Sequence, residues 1–241
     1  MNALVVAFRE PLVVAKQIAT IDYLSGGRVL PTFGVGLGND PYWTATGRQA
    51  SGRGERANEA ITLIRALLEQ DEVSFDGAHY RYHGPGVWPR PAKPIPLWIG
   101  GDSPAAIRRT GAMGDGWLGG ISSVDKTAEV IAQIKAELVS AGRRIDDDHY
   151  GATVLFRIGA PDDHAVRRIQ GQLASRLGKP GRELPEIVAA GTADAILGHF
   201  QRHIAGGVAK FVAVPIAHDG EDMLDQTRRL ASDVIPAIEA A

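Results

Sequence analysis

The 241-residue chain predicts an α/β fold: a parallel sheet with helices outside it, closed as a barrel or left open as a doubly wound sheet. Three observations lead there. The strand candidates are apolar runs with little polar alternation, as in strands covered on both faces. Segments with apolar residues at three- and four-residue spacing alternate with them, which is the order of βα units. Glycines gather at the ends of the strand candidates rather than in repeats.

Residues 3–8 (ALVVAF) are the first strand. Pro11 then opens a helix with Leu12, Ala15, Ile18, Ala19 and Asp22 on one stripe, and Ser25-Gly26-Gly27 stops it as a glycine C′ position does. Val29–Leu37 is the second strand, ending in Gly34, Gly36 and Gly38, where strand glycines mark close backbone approach or a bend. Residues 39–52 form a loop at its C-terminal end. A helix over Arg53–Glu69 follows, lined by Ala57, Ile61, Ile64, Leu67 and Leu68. Residues 72–93 break the rhythm: alternation around Asp76-Gly77 predicts a hairpin insertion rather than a βα unit.

Pro94–Gly120 is the most informative stretch. It reads as a buried strand (Leu97-Trp98-Ile99), a Gly100-Gly101 turn, a helix capped by Ser103 with Pro104 at its first position, and a second strand at Gly116-Trp117-Leu118. A strand that runs through two glycines into a helix N-terminus offers backbone N–H groups to an anion, commonly a cofactor phosphate. A plain tight turn explains the same residues. Ser122 or Ser123 caps the next helix, which carries Ala128, Ile131, Ile134 and Leu138. His149–Gly159 is a strand, and residues 161–190 are helical in part, with a mobile loop over Leu177–Leu184. Thr192 caps a helix ended by Gly206-Gly207, Lys210–Ala217 is the last strand, and Asp219 caps the final helix. About six parallel strands result, against the eight of a full (β/α)₈ barrel of about 250 residues. No linker marks a second domain, so residues 1–241 are expected to form one.

Composition narrows the function. Zero cysteines exclude disulfides, thiolate catalysis and thiolate metal sites, and fit a cytoplasmic protein. A net charge of -2 gives no electrostatic case for nucleic acid or anionic membrane. No apolar run reaches the roughly 18 residues of a membrane span, and the N-terminus lacks the basic leader of a signal peptide. His199 and His203 share a helical face, but no third ligand stands at a metal-binding spacing, so no metal is expected. Arg108-Arg109 read as a solvated face or as charge near a phosphate. Trp43 either covers a cofactor or packs under its own loop.

Together these segments resemble the bacterial luciferase-like flavin monooxygenase family, including members that use the deazaflavin F420. The likeness rests on Arg9-Glu10-Pro11-Leu12, Asp22-Tyr23-Leu24-Ser25-Gly26-Gly27-Arg28 and Gly34-Val35-Gly36-Leu37-Gly38. It continues through Arg53, Arg56, Glu59, Phe75-Asp76-Gly77, Tyr80, Ile99-Gly100-Gly101, Asp115-Gly116-Trp117 and Gly206-Gly207-Val208. The resemblance implies a TIM barrel with F420, or alternatively FMN, at the C-terminal ends of the strands, acting on a small-molecule substrate in a homodimer. F420 is favoured by the Ile-Gly-Gly-Asp-Ser-Pro-Ala-Ala pattern and by Asp-Gly-Trp. Cofactor contacts are expected at Gly100, Gly101 and Asp102 for the phosphate, and at Gly36 and Leu37 facing the ring. Lys179 and Arg182 are expected to close over the phosphate. A bulge with a non-proline cis peptide is expected near Asn2-Ala3-Leu4, behind the ring.

Two departures qualify the expectation. The family has two further βα units ahead of the strand at Ala3, so the barrel is expected to be N-terminally truncated or incomplete, with open edges at Ala3–Phe8 and Lys210–Ala217. Where some F420-dependent dehydrogenases place a glutamate, this chain has Asn39, an amide without acid–base capacity, followed by Asp40 as the nearest carboxylate. The expected function is therefore hydride transfer or oxygen activation at the cofactor ring, with Asn39 and Asp40 as the catalytic candidates. The alternative is a non-catalytic flavin-binding or structural subunit that needs a partner chain.

Overall fold

The structure, a computed structural model, describes residues 3–177 and 187–239. The chain divides into two compact units, Met1–Leu118 with Ile134–Asp146, and Gly119–Gln133 with Asp147–Ala241. Among the described residues no helix is long and apolar enough to cross a membrane.

In the first unit β1 (Leu4–Val5), β2 (Thr32–Gly34), β5 (Trp98–Gly100) and the start of β6 (Gly116–Ile121) pair in that order, all parallel. Phe33 stands opposite Leu4 on one side and Ile99 on the other. Helix α1 (Pro11–Ser25) covers the sheet with Val14, Ala15, Ile18 and Ala19, while Leu12, expected on this stripe, faces outward. Its end follows the glycine signal: Gly26 adopts a left-handed φ of 66° and its N–H bonds back to the helix carbonyls. A short helix α2 (Tyr42–Ala45) lies in the loop after β2, and α3 (Arg53–Glu69) buries Ala57, Ile61, Ile64, Leu67 and Leu68 as its spacing predicts. The hairpin is β3 (Glu72–Asp76) against β4 (Arg81–Pro85), antiparallel. Glu59 on α3 holds its turn by accepting the N–H groups of Ala78, His79 and Tyr80. Burial pushes that carboxyl up, but the three donors outweigh it and leave Glu59 below its ordinary value.

Helix α4 (Pro104–Met113) follows β5, and α5 (Val124–Ser140) follows β6. In the second unit β7 (Tyr150–Ile158) is central: it pairs β8 (Val188–Gly191) through Leu155–Ile158 and β9 (Lys210–Pro215) through Gly151–Phe156, both parallel. Around them lie α6 (His164–Leu177), α7 (Ala193–Ala205), α8 (Gly220–Arg229) and α9 (Ile235–Glu239). Thr192 and Asp219 cap α7 and α8 by accepting the Ala195 and Asp222 N–H groups. Buried Arg157 ties the ends of β7, β9 and α8: it donates to the Ile216 carbonyl and pairs with Asp163 and Asp222 at 3.1 and 2.8 Å.

The structure corrects four sequence expectations. Parallel strands number seven among the described residues, not six, because Val188–Gly191 is a strand; four apolar residues beside a capped helix carry too little periodicity to separate the two states. Leu177, expected in a loop, ends α6, and residues 178–186 lie outside the described residues. The first strand is shorter than the apolar run: Val6–Phe8 turn into a 3₁₀ segment, with Val6 and Ala7 fully buried. Ala3–Leu4 is not cis; among the described residues the cis bond is Trp88–Pro89, and the Asn2–Ala3 bond is not among them. The expected open edges stand, since neither β1 nor β9 has a second described strand partner, and every residue of β9 is half-exposed.

Candidate active site

On one face of the first unit's sheet, the ends of β2 and β5 leave a patch lined by two glycines and small methyl groups. A Cβ built on Gly34 would stand 3.7 Å from the Ala3 methyl, and one on Gly100 would stand 3.4 Å from that methyl and 3.5 Å from the Thr32 Cγ2. Ala3, Gly34 and Gly100, with the Thr32 methyl beside them, thus form a floor of backbone and two methyls, which a flat ring can approach closely. Two further glycines border it for conformational reasons. Gly36 (φ +73°) lies so close to β1 that a Cβ would meet the Val5 Cγ1 at 2.9 Å, and Gly101 (φ +111°) turns the chain from β5 towards α4.

The turn after β5 is built as its sequence predicts. The Ser103 hydroxyl accepts the Ala106 N–H at 3.2 Å and Pro104 takes the first helical position. The ten-residue α4 therefore points the positive end of its dipole at the Gly100-Gly101-Asp102 turn. Asp102 is exposed there. The Asp-Gly-Trp motif fixes this turn from behind. Trp117 Nε1 donates to the Gly101 carbonyl at 2.8 Å, and the Trp98 indole occupies the space that a Cβ on Gly116 would need. Asp115 accepts from Arg65 at 2.6 Å and from the Leu97 N–H at 3.0 Å, and stands 3.6 Å from Arg143.

The loop after β2 brings the catalytic candidates to the same end of the sheet. Leu37, Gly38 and Asn39 are exposed and Asp40 is half-buried. Asp40 Oδ1 accepts the Tyr42 N–H at 3.0 Å, so the carboxylate also works as a turn former. Trp43 packs under its own loop: its Nε1 donates to the Leu37 carbonyl and its ring sets an edge against Phe8, with centroids 4.2 Å apart. Arg48 anchors the far side of the loop, donating to the Tyr80 hydroxyl at 3.1 Å and standing 3.8 Å from Glu10. Burial raises the Tyr80 hydroxyl above its ordinary pKa, against the opposing charge of Arg48.

Sequence reasoning placed Ala3, Leu4, Gly36, Leu37, Gly100, Gly101 and Asp102 at this site, and the ends of β1, β2 and β5 carry them all. Asn2, Lys179 and Arg182 lie outside the described residues. Arg53, one of the residues that carry the family resemblance, joins the site although the sequence assigns it no role there. The guanidinium of Arg53 lies about 4 Å from where a Cβ on Gly38 would be, and its buried Nε has no hydrogen-bond partner among the described residues. Arg109 is buried and turned to α3, where it bonds Asn58 and the Gly54 carbonyl, so it is a structural tie; Arg108 is exposed.

A protein of Mycobacterium tuberculosis without an assigned function is 35% identical over 138 residues, covering 56% of this chain and 46% of its own. The chain thus spans about half the length of that relative. An F420-dependent glucose-6-phosphate dehydrogenase of Amycolatopsis mediterranei is 27% identical over 96% of this chain and 76% of its own. The solved structure of an F420-dependent secondary alcohol dehydrogenase in complex with an F420-acetone adduct superposes with a TM-score of 0.76 at 20% identity, covering 95% of this chain and 75% of that one. At that identity the likeness shows the fold. Residues 1–233 match the family described as luciferase-like monooxygenase, and the chain belongs to that family.

Proposed function

We propose that the protein is a flavin- or deazaflavin-dependent oxidoreductase, with F420 favoured over FMN, acting on a small molecule. The observation that carries this reading is the floor of backbone and small methyls at Ala3, Gly34 and Gly100, bordered by left-handed Gly36 and Gly101. Such a cradle suits a planar ring, and a Cβ at Gly100 would fill part of it. When bound, F420 supplies hydride transfer at its ring.

The chain's residues do the positioning. Ala3, Leu4, Gly36 and Leu37 support the ring, while the Gly100-Gly101-Asp102 turn at the N-terminus of α4 receives the phosphate through backbone N–H groups and the helix dipole. Arg53 adds positive charge beside Gly38, and Lys179 and Arg182 are further candidates for the phosphate. Asn39 hydrogen-bonds and orients the reacting group, and Asp40 is the nearest carboxylate to take or give its proton. The F420-dependent names among the relatives support the choice of cofactor, and the family's own description keeps FMN as the alternative. The absence of cysteine fits a cytoplasmic location. A homodimer is proposed as well: Val13, Ile21 and Leu24 stand 52%, 46% and 77% exposed on α1, an apolar face suited to a second copy. Light scattering after gel filtration tests it, and a monomer at high micromolar concentration contradicts it.

Activity is tested by mixing the purified chain with oxidised F420 and panels of secondary alcohols and sugar phosphates, following the loss of the cofactor's visible absorbance. Reduction with any member of the panel supports the enzyme. Tight cofactor binding without turnover, there and with reduced FMN and oxygen, favours the non-catalytic subunit instead.

A further inference from the structure

A cleft of about 700 Å³ opens at the end of the first unit opposite the candidate active site, between the last turn of α1 and the segments that lead into β2 and β5. Most of its wall is apolar, from Val29, Leu30, Pro94, Ile95 and Pro96. Within that wall lies Asp22, 8% exposed, at the C-terminal end of the buried stripe of α1. Its backbone carbonyl bonds Gly27 and Ser25, but its carboxylate takes no hydrogen bond or ion pair from any described residue.

Neighbouring cations are turned elsewhere. Arg90 spends its guanidinium on the Leu67 and Gln70 carbonyls and on Asp71. Arg28 donates its Nε to the Ser25 carbonyl and is exposed at the mouth, as is Lys93. The carboxylate oxygens open on the cleft, where an incoming donor can reach them, and the charge stands at the negative end of its own helix, which a cation offsets. No described protein group competes for them, so the position is open to a donor that arrives from solution.

We propose that this cleft binds a small organic amine, its protonated nitrogen on Asp22 and its apolar body along Val29, Leu30 and Ile95. The site is independent of the cofactor reading, since it lies at the other ends of β2 and β5 and shares no residue with the glycine floor. A cation suits both the carboxylate and the helix C-terminus, and a charge-assisted hydrogen bond out of bulk water is the strong kind. The apolar wall gives the rest of the molecule a place to bury surface.

The test uses a matched pair of probes, phenylbutylamine and phenylbutyrate, titrated into the full chain without cofactor and followed by calorimetry and by the amide resonances of Gly26 and Gly27. The amine is expected to bind and to shift those amides. Asp22→Asn is expected to weaken it by about tenfold or more while leaving the chain at least as stable to urea. Ala92→Trp, at the exposed rim, blocks the mouth and abolishes binding with Asp22 intact. Any one of four results overturns the proposal: no binding of the amine, equal or tighter binding of the acid through Arg28 and Lys93, amine binding unaffected by Asp22→Asn, or an Asp22→Asn chain that is clearly less stable.

Discussion

Gly100→Ala separates folding from cofactor binding. The position has no left-handed backbone requirement, and a new Cβ would stand 3.4 Å from the Ala3 methyl and 3.5 Å from the Thr32 Cγ2, both ordinary contacts. The folded chain therefore has room for the methyl. Relief of unfolded-state entropy favours the variant by about 0.4–1 kcal/mol, so its stability should equal or slightly exceed that of the parent. The same methyl rises from the floor on which the ring or its phosphate tail is proposed to lie. A planar group held at contact distance from backbone must lift or tilt to clear it, and the loss of close N–H contacts should weaken F420 binding by about tenfold, or roughly 1.4 kcal/mol. Urea unfolding and cofactor titration on the same preparation give both numbers. Unchanged affinity in a folded Gly100→Ala chain would falsify the assignment of this floor to the cofactor, and a collapse in stability would show that the glycine serves packing.

Other substitutions test the scaffold and the chemistry. Gly36→Ala combines a positive φ with a 2.9 Å approach to Val5 and should cost about 1–3 kcal/mol in urea unfolding; a neutral result means the loop relaxes freely. Asp115→Asn loses the charge that holds Arg65 and Arg143 and should cost about 1–3 kcal/mol; wild-type stability would show the network to be ornamental. Asp40→Asn keeps an oxygen for the Tyr42 N–H, so turnover should fall while cofactor affinity holds. Full turnover removes Asp40 as the acid–base group. His203 is 2% exposed, both its ring nitrogens lack partners among the described residues, and burial, with the charges of His199 and Arg202, pushes its pKa down to about 4. Its folded value lies below the unfolded 6.5, so stability is complete above that pH and falls by about 2–3 kcal/mol as pH drops from 6.5 towards 4. His203→Phe should flatten that dependence in urea melts at pH 5 and 8, and an unchanged slope places the sensitivity in other groups.

Local signals carried much of this fold into the sequence. Ser103, Thr192 and Asp219 cap the helices they were read to cap, because a side-chain acceptor beside a helix start needs no tertiary partner. Gly26 ends α1, and Asp76-Gly77 marks the hairpin, for the same reason. Tertiary context decided the rest. Val6–Phe8 have strand-like composition yet turn into a 3₁₀ segment, since burial alone does not fix φ and ψ. Val188–Gly191 is not legible as a strand because a four-residue run holds no period. At the site, the glycine positions were legible from their clustering at strand ends. The approach of Arg53 to Gly38 was not, since it depends on how a 14-residue connection folds back. Asp22 reads in the sequence only as one position on a helical stripe; that its side chain sits in the wall of a cleft without a partner among the described residues follows from the packing around it.

A deazaflavin on the glycine floor at the ends of β2 and β5 is proposed to be the protein's cofactor. Equilibrium titration of the purified chain with F420 and, separately, with FMN, following cofactor fluorescence or absorbance, probes that floor without a substrate. Saturable binding of F420, tighter than that of FMN, is expected. Failure of both to bind at high micromolar concentration contradicts it.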